Sequence, residues 1–297
     1  MPILTPSTTY DLNGPGIPGT ILHDGQAALG AITLGTVDDY GVEWILEGLK
    51  GWDDPAPSTG GTEQRASDHG GWTSPAYYAP RIVEITASLF ADTWAGASLA
   101  LDRLWGAVPL STPDWLYVAE GARTLCARVR QEADPLVDRN DGWARFSLSL
   151  VAPDPRRYDA TETTASTGLP ATSGGMALPL AFPLTIGATT TAGVLTVTND
   201  GNMATRPVFT VAGPVAAGAT ITHRGTGKTL RIPDGVPSGR TLTIDTDRRT
   251  ALLDGTAARV VTGTWFEYDP GSNDVAFSAP SYNSTALLTS VSRSAWR

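Results

Sequence analysis

The chain has 297 residues, room for two domains of ordinary size, and 41% of them are apolar, enough for each half to bury a core. Charged residues make up only 17%, against ~25% in an average soluble protein, so the surface must be rich in Thr, Ser, Gly and Ala, as in a β-rich protein partly covered by neighbours. A net charge of −9 with no basic face counts against a general nucleic-acid binder, and no apolar run reaches the ~18 residues of a membrane span.

The chain begins Met-Pro-Ile-Leu-Thr-Pro, without the basic and apolar regions of a signal peptide, which predicts a protein made and kept in a cytosol. Its first forty residues read as loop, with Asn13-Gly14-Pro15-Gly16-Ile17-Pro18-Gly19 as turn material. A strand follows over 41–49, with Val42, Trp44 and Leu46 on one face and Glu43 and Glu47 on the other. Residues 53–71 are polar and Gly-rich, a loop too long for a bare connection and of the kind that orders against a partner. A period-two strand covers 80–90. Asp92-Thr93 can then cap a helix over 94–108, with Trp94, Ala97, Leu101, Leu104, Trp105 and Val108 at helical spacing and Pro109 as its stop. Strands over 114–119, 123–131 and 143–152 complete an α+β unit with a curved sheet.

Residues 159–177 are rich in Thr, Ala, Ser and Gly and read as a linker or belt. Beyond them, strand candidates at 193–198, 207–212, 220–223, 228–232, 241–245, 250–253, 264–268, 274–278 and 287–293 recur about every ten residues between turns. That spacing implies a two-sheet antiparallel sandwich. The organisation is a first domain over 1–158, the linker over 159–177 and a second domain over 178–297.

No constellation carries chemistry. The acidic pairs Asp38-Asp39, Asp53-Asp54 and Asp245/Asp247 sit in turns or strand ends, without the facing geometry that glycoside hydrolysis needs. His23, His69 and His223 are far apart, with no metal-ligand spacing, and Asp245-Thr246-Asp247 lacks the glycine and terminal glutamate of a calcium loop. Gly225-Thr226-Gly227-Lys228-Thr229 is a tight hairpin and not a phosphate loop, because no strand–helix unit surrounds it. Cys126, the single cysteine, lies in an alternating strand and reads as a buried structural residue. Arg156-Arg157 and Arg248-Arg249 read as turn or linker residues. Trp94 and Trp105 read as helix core, and Trp52, Trp72 and Trp143, beside polar turns, as interface or sugar-site aromatics. No catalytic, cofactor-binding or metal-binding residue is assigned, and the chain reads as a non-enzyme without a cofactor.

Several segments carry a family resemblance. In the first half these are Gly41-Val42-Glu43-Trp44, Asp68-His69-Gly70-Gly71-Trp72, Pro80-Arg81-Ile82-Val83, Ser98–Leu104 and Ala152-Pro153-Asp154-Pro155. In the second they are Phe182-Pro183, Asn199-Asp200-Gly201, Thr205-Arg206-Pro207, Gly213-Pro214, Ile244-Asp245-Thr246, Pro270-Gly271-Ser272-Asn273 and Ser292–Trp296. Taken in order, they resemble the distal tail proteins of siphophages, of the actinobacteriophage minor tail protein type. The resemblance implies a mainly β chain: a tail-tube-like split β-barrel with one flanking helix, then a galectin-like β-sandwich. It further implies a hexameric ring at the distal end of the virion tail, assembled in the host cytoplasm. That ring would join the tail-tube protein to the tail-associated lysin or fibre base proteins, away from any membrane, and pass DNA without binding it specifically. A host cell-wall carbohydrate-binding tail protein is the alternative.

Overall fold

The computed structural model describes residues 23–173, 189–191 and 193–297. The turn expected at 13–19, the Phe182-Pro183 motif and the end of the expected linker lie outside them. Two compact units divide at Ala160/Thr161.

The first unit opens with β1 (Ala27–Leu29), β2 (Ile32–Leu34), β3 (Thr36–Val37) and β4 (Glu43–Lys50). Four short strands follow: β5 (Ser58–Thr59), β6 (Thr62–Gln64), β7 (Gly71–Thr73) and β8 (Tyr77–Tyr78). Then come β9 (Arg81–Phe90), α1 (Trp94–Ala107), β10 (Asp114–Glu120), β11 (Arg123–Gln131), β12 (Leu136–Asn140), β13 (Trp143–Ala152) and β14 (Arg157–Asp159). The sheet runs β2-β1-β10-β11-β13-β9-β4-β3, with β12 also on β13 and β14 also on β11. β11 meets β13 only through Arg130↔Val151 and Gln131↔Leu150, so two half-sheets join at one corner. The path stays open and does not close into a barrel.

Alternation decides what is buried. Val83, Ile85, Ala87 and Leu89 of β9 and Ala144, Phe146, Leu148 and Leu150 of β13 are all buried, as the period-two pattern of both strands requires. Glu47 sits at a bulge in the β4–β9 ladder, where the register shifts between Leu46 and Gly48. Thr93 caps α1, its hydroxyl accepting the Gly96 N–H at 3.0 Å. Pro109 follows Val108, the helix's C-cap. The helix buries Ala97, Ala100, Leu101 and Leu104, and Trp105 stands edge-on to Phe146 at 6.5 Å. Trp94 is not core: it is 57% exposed, with Arg139 stacked over its ring at 3.8 Å.

Three expectations in this unit need correction. The stretch read as loop contains β1–β3, too short for periodicity to reveal. β12 was missed because an edge strand with mostly exposed side chains shows no alternation. The long loop over 53–71 carries strand pairs, described below.

The second unit contains β15 (Thr163–Gly168), β16 (Ala171–Ser173), β17 (Thr189–Thr191), β18 (Val194–Asn199), β19 (Val208–Ala212), β20 (Ala219–His223) and β21 (Thr229–Ile232). It continues with β22 (Thr241–Asp245), β23 (Thr250–Leu253), β24 (Ala257–Ala258), β25 (Thr262–Gly263), β26 (Gly271–Ser278), β27 (Leu287–Ser292) and β28 (Ala295–Trp296). Two antiparallel sheets, β15-β27-β19-β22-β23-β24 and β18-β26-β20-β21-β25, form the sandwich, and β16 pairs with β17. Phe209, Val211, Ile221, Leu230, Ile244, Tyr268, Val275, Phe277 and Leu288 fill its core.

Two segments here also differ from expectation. Within the stretch read as a linker, Thr163–Gly168 is a strand paired along its length with β27; small polar residues suffice for an edge strand. The strand expected over 264–268 is extended chain without a ladder, tied by the Thr205↔Tyr268 bridge and by the Thr264 N–H donating to the Thr229 carbonyl at 2.9 Å.

In the first unit, Leu104 is 1% exposed on the buried face of α1, so Leu104→Ala is expected to cost ~2–5 kcal/mol in denaturant unfolding; a loss under ~0.5 kcal/mol would show that the helix face is not core.

Candidate functional site

The sequence-selected titratable groups do not converge. His69 lies in the exposed 66–69 turn, His223 is buried in the second unit, and His23 begins the described chain. Among the described residues no group of three or more His, Cys, Asp or Glu could hold a metal ion. Cys126 is buried. Gly227, with φ +69°, closes the hairpin between β20 and β21.

Asp38 is instead a structural ligand. Its Oδ1 accepts the backbone N–H groups of Tyr40 and Val42, both at 2.9 Å, and its Oδ2 accepts the Trp44 indole N–H at 3.0 Å. Arg103 of α1 pairs with the same Oδ2 at 2.9 Å and stacks over Tyr40. Burial pushes the carboxyl up, but the Trp44 indole, the two backbone donors and Arg103 outweigh it and hold its pKa below the usual carboxylate value.

The first surface feature is an arm. β6 and β7 form the inner rung of a hairpin and β5 and β8 its outer rung. Between residues 57 and 78 only Arg65 and Gly71 are less than exposed; Trp72 is 67% and Tyr77 71% exposed. Arg65 lies over the Trp72 ring at 4.5 Å. The arm has no core of its own.

Its root, by contrast, is rigidly built. Arg81, 1% exposed where the chain returns from the arm, donates through Nη1 to the carbonyls of Gly51 at 2.9 Å, Trp52 at 2.8 Å and Asp54. Its Nε donates to the Pro155 carbonyl at 3.1 Å. Trp52 is fully buried, contrary to its reading as an interface aromatic, and gives its indole N–H to Glu120 at 2.7 Å. Arg157, read as a linker residue, is buried and pairs with the same Glu120 oxygen at 2.9 Å and with Asp53 at 3.5 Å. Gly51 has φ +79°, and a Cβ there would run into the Ile82 carbonyl.

The second surface feature is a cleft of ≈ 490 Å³ in the sandwich. It lies between the β20–β21 hairpin, the β22–β23 turn and the unladdered 264–269 segment. That segment alternates: Phe266 and Tyr268 are buried, while Trp265 and Glu267 are half-buried and line the cleft. Arg206 donates through Nε to Glu267 at 2.7 Å and through Nη1 to Asp247. Burial disfavours its charge, but its hydrogen bonds to Glu267 and Asp247 raise its pKa above the usual arginine value.

Buried amides hold the loops nearby. Asn199 donates to the carbonyls of Met203 and Tyr268 and accepts from the N–H groups of Gly201 and Ala295, which satisfies all of its groups. Asn273 donates to the Asp269 and Gly271 carbonyls, and its oxygen accepts the Asp269 N–H. The Thr226 N–H donates to Nδ1 of His223, which leaves the His223 Nε2–H to donate to the same Asn273 oxygen at 3.0 Å.

Residues 200–290 match the family model described as siphovirus-type tail component, C-terminal domain. The resemblance to siphophage distal tail proteins is borne out. The Dit protein of phage SPP1, described as a paradigm of the hub adsorption apparatus of phages infecting Gram-positive hosts, has the same fold, at a TM-score of 0.63 and 15% identity over 92% of this chain and 99% of that one. A chain of the phage P2 baseplate in its activated conformation is similar at a TM-score of 0.50 and 9% identity over 90% of this chain and 97% of that one. No curated protein matches the sequence. The tail-component match spans Arg206, Asp247 and Glu267, so the cleft belongs to the matched domain.

Two outcomes check the site. Arg81→Ala strands four carbonyls at the arm root and is expected to cost about 3 kcal/mol or more in denaturant unfolding; a loss within ~0.5 kcal/mol would remove the arm-root role. The Asp38 carboxyl has a folded-state pKa below its unfolded one. Its contribution is therefore full above about pH 4 and lost as pH falls through the folded-state value. The stability gap between the native chain and Asp38→Asn should be widest at neutral pH and narrow below about pH 4; a gap that widens in acid would contradict this.

Proposed function

We propose that the chain is a structural hub at the distal end of a siphophage tail. In this reading it forms a hexameric ring that joins the tail tube to the lysin or fibre base proteins and passes DNA during ejection. It does so without catalysis, and it enters the virion after assembly in the host cytoplasm. The observation that carries the reading is the end-to-end likeness: both units together cover 92% of this chain against 99% of a hub adsorption protein. The family match to a tail component adds sequence support over 200–290.

The arm supports self-assembly through the first unit. A lone two-stranded hairpin is marginal in water, so one that exposes Trp72 and Tyr77 gains its stability from a surface outside itself. A neighbouring copy in the ring supplies that surface. The Ala79 N–H donates to the Pro57 carbonyl at 2.7 Å, so the arm can be trimmed without parting its ends.

The native chain is expected to sediment near six times its 31.1 kDa mass, and a chain with 58–78 replaced by a Gly-Ser turn near one. A native monomer at micromolar concentration would overturn the ring, and an unchanged oligomer after trimming would remove the arm from it.

Each copy carries −9, and charge acts over only ~8 Å at physiological salt, so a passage that lets duplex DNA slide needs walls that are neutral or negative. Purified protein should therefore retain no duplex DNA at that salt; micromolar binding with a steep salt slope would overturn the passive conduit.

A further inference from the structure

The sandwich cleft has a composition that the hub role does not use. Trp265 packs against the sandwich core and lines the cleft, so it is an aromatic surface fixed from behind. Arg206, held between Glu267 and Asp247, is a donor whose position is set before any ligand arrives. Around them stand Lys228, Arg249 and Asp269, whose charged ends make no bond to other described residues. Three cations face three carboxylates, so the cleft is neutral in sum while rich in both donors and acceptors. Its ≈ 490 Å³ lies in the ~300–1,000 Å³ range of small-molecule sites.

Each ligand class can be weighed against that inventory. An apolar ligand would leave the charged groups desolvated and unpaired. A polyanion would meet Lys228 and Arg249 but also Asp247, Glu267 and Asp269, on a chain that is already −9. A sugar answers every feature. Its C–H face covers an aromatic ring, and its hydroxyls both donate to carboxylates and accept from guanidinium and ammonium groups. The backbone presents these groups at a cost: the 264–267 segment leaves the sheet ladder, and Arg249 takes the left-handed conformation at φ +54°.

We propose that the cleft binds a neutral glycan, with one sugar ring on Trp265 and its hydroxyls shared between the Arg206–Glu267–Asp247 group and Lys228, Arg249 and Asp269. The site lies within one copy of the chain and does not depend on ring formation.

The test uses the purified full chain on immobilised neutral hexose and N-acetylhexosamine oligosaccharides and on their sulfated and phosphorylated counterparts, with titration calorimetry on those retained. At least one neutral glycan should bind, with affinity changed less than about twofold between about 50 and about 500 mM salt. Trp265→Ala should weaken it about tenfold or more. Trp265 also touches the core, so the exposed variants Lys228→Ala and Asp269→Asn serve beside it. Each should weaken binding about threefold or more while leaving the melting temperature unchanged. The proposal is overturned if no neutral glycan binds, if only sulfated or phosphorylated ones bind with a steep salt dependence, or if all three variants bind as the native chain does.

Discussion

The guanidinium of Arg81 gathers the carbonyls of Gly51, Trp52 and Asp54 before the arm and one from the segment after β13. Backbone carbonyls at a tight chain reversal have no ladder partner, and burying them unsatisfied is costly. One planar cation answers several at once, which lysine, with a compact ammonium, does less well. Around it Trp52 and Arg157 form a second layer, both donating to the same Glu120 oxygen. Burial and then the neighbouring Arg157 lower the Arg81 pKa, and Asp54, Asp53 and Glu120 offset only part of that. The direction in which the arm leaves the first unit depends on this group.

The second unit solves the same problem with neutral amides. Asn199 and Asn273 each carry donors and acceptor on one short side chain, and each ties a turn to chain distant in sequence. A Cβ on Gly201 would strike the Ala295 carbonyl, so Asn199-Asp200-Gly201 is fixed by close backbone approach as well as by bonding. Tyr268 sits on the same scaffold, its hydroxyl bonded to Ser290 at 2.7 Å, and burial pushes its pKa up. Among the motifs that carry the family resemblance, Asn199-Asp200-Gly201 and Pro270-Gly271-Ser272-Asn273 are thus turn anchors, held by the Asn199 and Asn273 side chains.

Long elements were legible from sequence because burial on one face imposes a period. β9, β11, β13 and α1 show this, and so do most sandwich strands. What escaped lacked that period. β12 and β15 are edge strands with exposed or small polar residues, and the arm strands bury nothing. The 264–268 segment alternates as a strand does, yet it departs from the ladder where it borders the cleft. Trp52 was misread for a related reason: its polar neighbours Asp53 and Asp54 point outward while the indole turns in to Glu120. The cleft could not be read at all, since Arg206, Asp247 and Glu267 come from three separate turns that only the sandwich brings together.

The two-rung arm also bears on how assembly can be observed from within a single chain. Its amide hydrogens are guarded by a few cross-strand bonds and by almost no buried apolar surface, so the free energy of opening there lies at the low end for the molecule. Any surface that covers the arm adds its own binding free energy to that opening, in proportion to the logarithm of its concentration. Hydrogen exchange in 58–78 thereby becomes a gauge of occupancy, slow where the arm is seated and fast where it is not, while β9 and β13 keep the same slow exchange in both states.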